Sequence, residues 1–149
     1  MEQRTARVSR SERGQSLVEL AISLVLLLLL LSGIIDLGRA LFTYISMRDA
    51  AQEGVVYASV YPKPCDRIKQ RALQALDDPT GMSVDVTLNH TACEAAGPAD
   101  SCAGNQIAVT VTNPNFEITM PFLGGVLGTQ TLTLKATITG TVLQPRCIP

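Results

Sequence analysis

R-G-Q-S-L-V-E-L-A-I-S-L-V-L-L-L-L-L-L-S-G-I-I-D-L-G-R, residues 13–39, decides how the rest of the chain is read. A basic start is followed by one small residue, Gly14, and by a single acid, Glu19, at the mouth of an apolar stretch. Residues 20–35 carry no charge, and with Leu17 and Val18 the apolar segment approaches the ~20 residues that a membrane-spanning helix needs. The lipid bilayer is therefore the first partner to expect. A carboxylate at the edge of hydrocarbon is costly unless it is neutralised or paired, so Glu19 requires an explanation.

Two readings compete for that acid. Ser16 and Glu19 form an S-x-x-E capping box ahead of an apolar run, which would satisfy the free backbone donors of a helix start. This leaves unexplained Gly14 directly before Gln15, and the four arginines (Arg4, Arg7, Arg10, Arg13) among the first 14 residues. The second reading has the peptide bond after Gly14 cut on the cytoplasmic side. The new α-amine of Gln15 then offers a positive charge to Glu19 of an adjacent subunit, and two groups unfavourable in lipid satisfy each other on assembly.

The pattern resembles a type IV prepilin leader, and the wider segment is similar to the TadE-like family of tight-adherence (Flp-type) pilus assembly proteins. The residues that carry the resemblance are R-G-Q-S-L-V-E-L-A at 13–21, G-I-I-D-L-G-R at 33–39 and A-A-Q-E-G-V-V-Y-A at 50–58. They cover about the first third of the chain. The resemblance implies processing by a prepilin peptidase at Gly14 and Gln15, with Glu19 as the recognised acid and Glu19 and Gln15 as the assembly contacts. It further implies other pilin or pseudopilin subunits, an export translocon, and an ATPase and assembly platform as partners. Short major pilins of this system usually place an aromatic residue after that glutamate. Leu20 stands there in this chain, and a large C-terminal part follows, which favours a minor pilin or pseudopilin.

Charge agrees with an N-terminus held in the cytoplasm. The formal net charge of the 149-residue chain is -1, yet residues 1–14 set four arginines against Glu2 and Glu12. Basic residues before a span stay inside, so the C-terminal domain is expected outside the inner membrane. Hydrophobic content is 46% and mean hydropathy +0.24, both raised by the leucine run. The remaining Lys and Arg are scattered, without the basic patch that nucleic acid binding needs. A cleavable secretory signal is disfavoured because the apolar run is long and lacks an A-x-A site.

The helical pattern continues beyond residue 36. Leu37, Leu41, Ile45, Ala51, Val55 and Ala58 share one face at steps of mostly three and four, with Asp36, Arg39, Asp49, Gln52 and Glu53 elsewhere. Asp36 and Arg39 are spaced to pair at the outer lipid boundary, or to stand as two solvated charges. Pro62 and Pro64 end this rod. The organisation expected is a leader at 1–14, a transmembrane helix at 15–36, its amphipathic continuation at 37–61 and an extracytoplasmic domain at 65–149.

Within that domain a second helix is expected from Asp66 to about Asp77, with Ile68, Ala72, Leu73 and Leu76 inward. The period then changes to two at residues 83–89, 107–112, 116–120 and 132–139, four strands with one polar face. The class is α+β and pilin-like: a long helix, a short one and a roughly four-stranded antiparallel sheet. Cys65, Cys93, Cys102 and Cys147 all follow the span, and an oxidising exterior points to disulfides. Of three connectivities, the favoured one joins Cys93 to Cys102 and Cys65 to Cys147.

Catalytic signals are sparse. One histidine, His90, and no Ser-His-acid constellation leave nucleophilic catalysis without a base, so no enzyme activity, cofactor, metal or small-molecule substrate is inferred. The glycine-rich F-L-G-G-V-L-G at 122–128 lacks the Lys-Ser or Lys-Thr of a phosphate loop and reads as an apolar turn or docking surface. Asn89-His90-Thr91 matches a glycosylation acceptor by chance. The chain reads as a structural pilus component. The alternatives are a single-span anchored binding module that never enters a filament and, more weakly, a tethered enzyme.

Overall fold

The structure is a computed structural model, and it describes residues 10–120, 128–144 and 147, with only the backbone at 10–13. Most of the basic leader and the 122–127 segment therefore lie outside the described residues. Helix α1 spans Arg10–Val60 without a break, 51 residues or about 77 Å at 1.5 Å per residue. It runs through Gly33, Gly38 and Gly54. Its end is set by Pro62, buried against the domain, and by Pro64. Helix α2, Cys65–Gln74, starts directly after Pro64, and Ile68 and Ala72 are buried. It is shorter than the 66–77 expectation. At its end the backbone tightens to three-residue bonds, Ala75 N to Ala72 O and Leu76 N to Leu73 O, which still turn Leu76 inward.

The sheet is antiparallel throughout. Strand β1, Ser83–Leu88, turns back through Asn89 and His90 into the two-residue β2, Thr91–Ala92. Strands β3, Gln106–Glu117, and β4, Thr131–Thr141, complete a sheet of order β2-β1-β3-β4. The α+β class thus stands, but two strand assignments are corrected. Residues 107–112 and 116–120, whose alternation is interrupted at Asn113-Pro114-Asn115, are not separate strands. They share one strand as far as Glu117, with a register shift between Asn113 and Phe116 that absorbs the proline. The fourth strand is instead the short β2, whose two residues carry no periodic signal.

Alternation puts Val84, Val86, Leu88, Ile107, Val109, Val111 and Ala136 on the covered face. Thr110 and Thr137 share a hydroxyl bond of 2.9 Å on the other. Helix α1 crosses β3 and β4, while α2 lies against α1 and β1. The inward face of α1 here is Met47, Ala50, Ala51, Val55 and Ala58. Small side chains allow the close approach. A Cβ on Gly54 would stand 3.1 Å from Val109 Cγ1 and 3.2 Å from Ala72 Cβ.

Leu37, Leu41 and Ile45 do not join that face, contrary to the sequence expectation. They are 71%, 58% and 48% exposed, and Asp36 points to the sheet instead. Apolar periodicity marks a helix face that avoids water, and lipid satisfies it as well as protein does.

The cysteine pairing is corrected too. Cys65 is bonded to Cys93 and Cys102 to Cys147. The β1–β2 hairpin carries Cys93 into the core, where its N–H meets Val86 O at 2.9 Å beside the start of α2. The 3₁₀ turn Pro98–Ser101 then carries Cys102 away from it. Bonds from Gly104 N to Val142 O and from Val142 N to Asn105 O, each 2.9 Å, zip the chain leaving β4 alongside Cys102. The bridges follow the hairpin rather than proximity in sequence.

Candidate functional site

Two polar stretches of α1 flank its apolar run. The first is the turn holding Gly14, Gln15 and Glu19, all exposed and all inside the helix. Because α1 begins at Arg10, Ser16 and Glu19 lie in its interior. The capping box therefore does not account for Glu19 in the intact chain. Gln15 and Glu19 are four apart, one above the other on the same face. Among the described residues nothing pairs with the Glu19 carboxylate, which stands between Val18 and Leu20, themselves 60% and 64% exposed.

The second stretch is Gly33, Asp36 and Arg39, one helical turn apart along the side that meets the sheet. Asp36 is buried at 8% exposure. One carboxylate oxygen, Oδ2, accepts the backbone N–H of Met120 at 2.6 Å, and the other, Oδ1, accepts Arg39 Nη1 at 3.4 Å. Arg39 Nη1 also donates to Thr119 Oγ1, and its guanidinium lies 5.5 Å from the centre of the Phe116 ring. Gly33 leaves room for Met120, whose Sδ would lie 3.5 Å from a Cβ at that position. Helix and sheet are thus tied at the lower rim by a charge-assisted clamp.

The Asp36–Arg39 pairing was one of the two outcomes read from the sequence. Its larger part was not, because Thr119 and Met120 are 80 and 84 residues from the helix groups they meet. The only local signal was an acid placed at the end of a leucine run. The cysteines, by contrast, have no part in either stretch; they staple the distal end of the domain.

A family model described as TadE-like protein matches residues 14–55. The TadE-like resemblance is shown over that segment, which takes in Gly14, Glu19, the clamp residues of α1 and the first helical positions of the core. The match ends before α2 and the sheet. No curated protein matches the chain, and no solved structure does. Among the described residues one helix, within Gly14–Val60, is long and apolar enough to cross a membrane.

Proposed function

We propose that this chain is a minor pilin or pseudopilin-like structural component in the assembly of a tight-adherence type IV pilus. The observation that carries the reading is Glu19. It is an acid with no charged partner among the described residues, on the exposed surface of the apolar run of α1, five residues after Gly14, inside the segment that matches the TadE-like model. In this reading a prepilin peptidase cuts after Gly14, and the freed amine of Gln15 on one subunit neutralises Glu19 on the next. The chain sits N-terminus inward in the inner membrane, single-pass, with the disulfide-bonded domain outside. Its partners are other pilin subunits and the assembly platform. Its role is structural rather than catalytic.

The second reading, a permanently anchored exterior binding module, shares the span and the domain and differs at the N-terminus. Mass spectrometry of protein from the native host separates them. A mature chain beginning at Gln15 supports the pilin path, and an intact Met1 supports the anchor. Glu19→Ala is expected to leave membrane insertion intact while abolishing pili or subunit crosslinks. Unchanged crosslinks in that variant sink the pairing role.

A further inference from the structure

The exposed apolar surface of α1 does not stop where the uncharged run stops. Leu37, Leu41, Phe42 and Ile45 continue it, at 71%, 58%, 68% and 48% exposure, interrupted by Arg39, which the clamp holds, and Arg48 and Asp49 are the next charged exposed positions beyond it. Glu19 and Arg39 are separated by about 30 Å of helix, the thickness of a bilayer's hydrocarbon. With Glu19 at one lipid boundary, Arg39 falls at the other and Asp36 lies just inside it. Met120 is hydrogen-bonded to Asp36, so the end of the sheet comes to the same depth.

At that rim lies a largely apolar groove of about 200 Å³. Gly33, Leu37 and Ala40 form one wall with Asp36, whose carboxylate the clamp occupies, and Phe116, Ile118, Met120 and Leu132 form the other. Leu132 is 43% exposed at its mouth. With Arg39 at the lipid boundary, the Gly33 end of the groove opens at the edge of the hydrocarbon. A helix, ~10 Å across with side chains, is too thick to enter it, whereas an alkyl chain is not.

We propose that this groove holds an acyl chain of an outer-leaflet phospholipid, seating the sheet domain in the membrane instead of holding it clear above the surface. The clamp then has a physical purpose. It neutralises Asp36 and Arg39 at a depth where neither stands alone, and it gives the lipid a fixed wall. The proposal rests on the reading of α1 as a membrane span.

The chain contains no tryptophan, so a single introduced one is an unambiguous fluorescent probe. Leu132→Trp reports on the groove, Ile118→Trp gives a second placement, Leu27→Trp marks the mid-span, and Gln106→Trp marks the far end of the sheet. Each full-length variant is reconstituted into phosphatidylcholine vesicles carrying bromine on the acyl chains. Emission from Leu132→Trp and Ile118→Trp is expected to be quenched nearly as strongly as from Leu27→Trp, and emission from Gln106→Trp not at all. Quenching at Leu27→Trp alone overturns the groove and leaves the span standing. No quenching at Leu27→Trp overturns both. Quenching at Leu132→Trp that fades as protein density in the vesicle rises assigns the site to a second copy of the chain and overturns the lipid.

Discussion

Gly140→Ala tests the packing that holds α1 on the sheet. Gly140 lies opposite Ile107 in the β3–β4 ladder, under α1. A methyl group there falls well inside contact distance of Val55 Cγ1, with Ser59 Oγ at 3.7 Å and Val55 Cβ at 3.9 Å. Val55 is 6% exposed. Its escape is poor, because a valine in a helix holds one χ1 rotamer ~90% of the time. The other escape is to lift α1 from β4, which opens a gap and forfeits contacts along the interface. Overpacking of this kind costs about 1–3 kcal/mol, and replacing a strand glycine returns roughly 0.5–1 kcal/mol. A net loss of about 1–2 kcal/mol is expected. For a domain of this size that lowers Tm by roughly 5–15 °C, measurable by calorimetry of the full chain in detergent. Val55→Ala removes the clashing methyl and alone costs about 1.6 kcal/mol from lost burial, before any cavity term. The double variant is expected to be more stable than the sum of the two by about 1 kcal/mol or more. An unchanged Tm for Gly140→Ala, or strict additivity in the double variant, refutes the close approach.

Peptide mapping without reduction is expected to recover Cys65 with Cys93 and Cys102 with Cys147. With sequence separations of 28 and 45, loop entropy assigns about 3.6 and about 4 kcal/mol to the two bridges, so removing either by paired Cys→Ala lowers calorimetric stability by that order. His90→Gly is expected to stabilise by ~1 kcal/mol, because Asn89 and His90 hold φ of 49° and 67° in a two-residue hairpin turn that favours glycine second; a lower Tm in this variant contradicts that turn. The Asp100 carboxyl lies below the usual carboxylate range, held there by the Asn89 side-chain amide and the Gly97 N–H. Its folded pKa is thus depressed relative to the unfolded chain. The stabilisation is full above the ordinary carboxylate pKa of about 4 and is lost as pH falls through the depressed value. Wild type should therefore lose its calorimetric advantage over Asp100→Asn on acidification, and an advantage that grows towards acid contradicts the linkage.

The long helix, the α+β class and the buried strand residues were legible because each rests on a short-range period. Val84, Val86 and Leu88 alternate, as do Ile107, Val109 and Val111, and all six are on the covered face. What stayed hidden depends on pairs of distant residues or on the identity of the apolar medium. Leu37, Leu41 and Ile45 repeat at the helical period, yet hydropathy does not say whether a leucine faces lipid or a sheet. The cysteine partners depend on a hairpin at Asn89–His90 that has neither glycine nor proline to announce it. Pro114 reads locally as a strand breaker, and only the β3–β4 ladder carries pairing across it.

The two polar stretches of α1 pose the same physical problem, and the chain meets it differently at each end. At the end nearer the sheet the acid Asp36 has its partners built in, since Arg39 is one turn along the helix and the Met120 N–H arrives with the fold. That solution is complete in a single subunit once the sheet has formed. At the Glu19 end the neighbours along the exposed helix are neutral, Gln15, Val18, Ile22 and Ser23, and among the described residues no cation pairs with the acid. A charge left uncompensated after folding is satisfied by association, and in a helix exposed on all sides at that level only another chain, or a proton, can bring the compensation. The asymmetry separates tasks along one rod. The clamp at Asp36 and Arg39 fixes how the domain sits on its own helix, and in the proposed assembly Glu19 serves contact between helices.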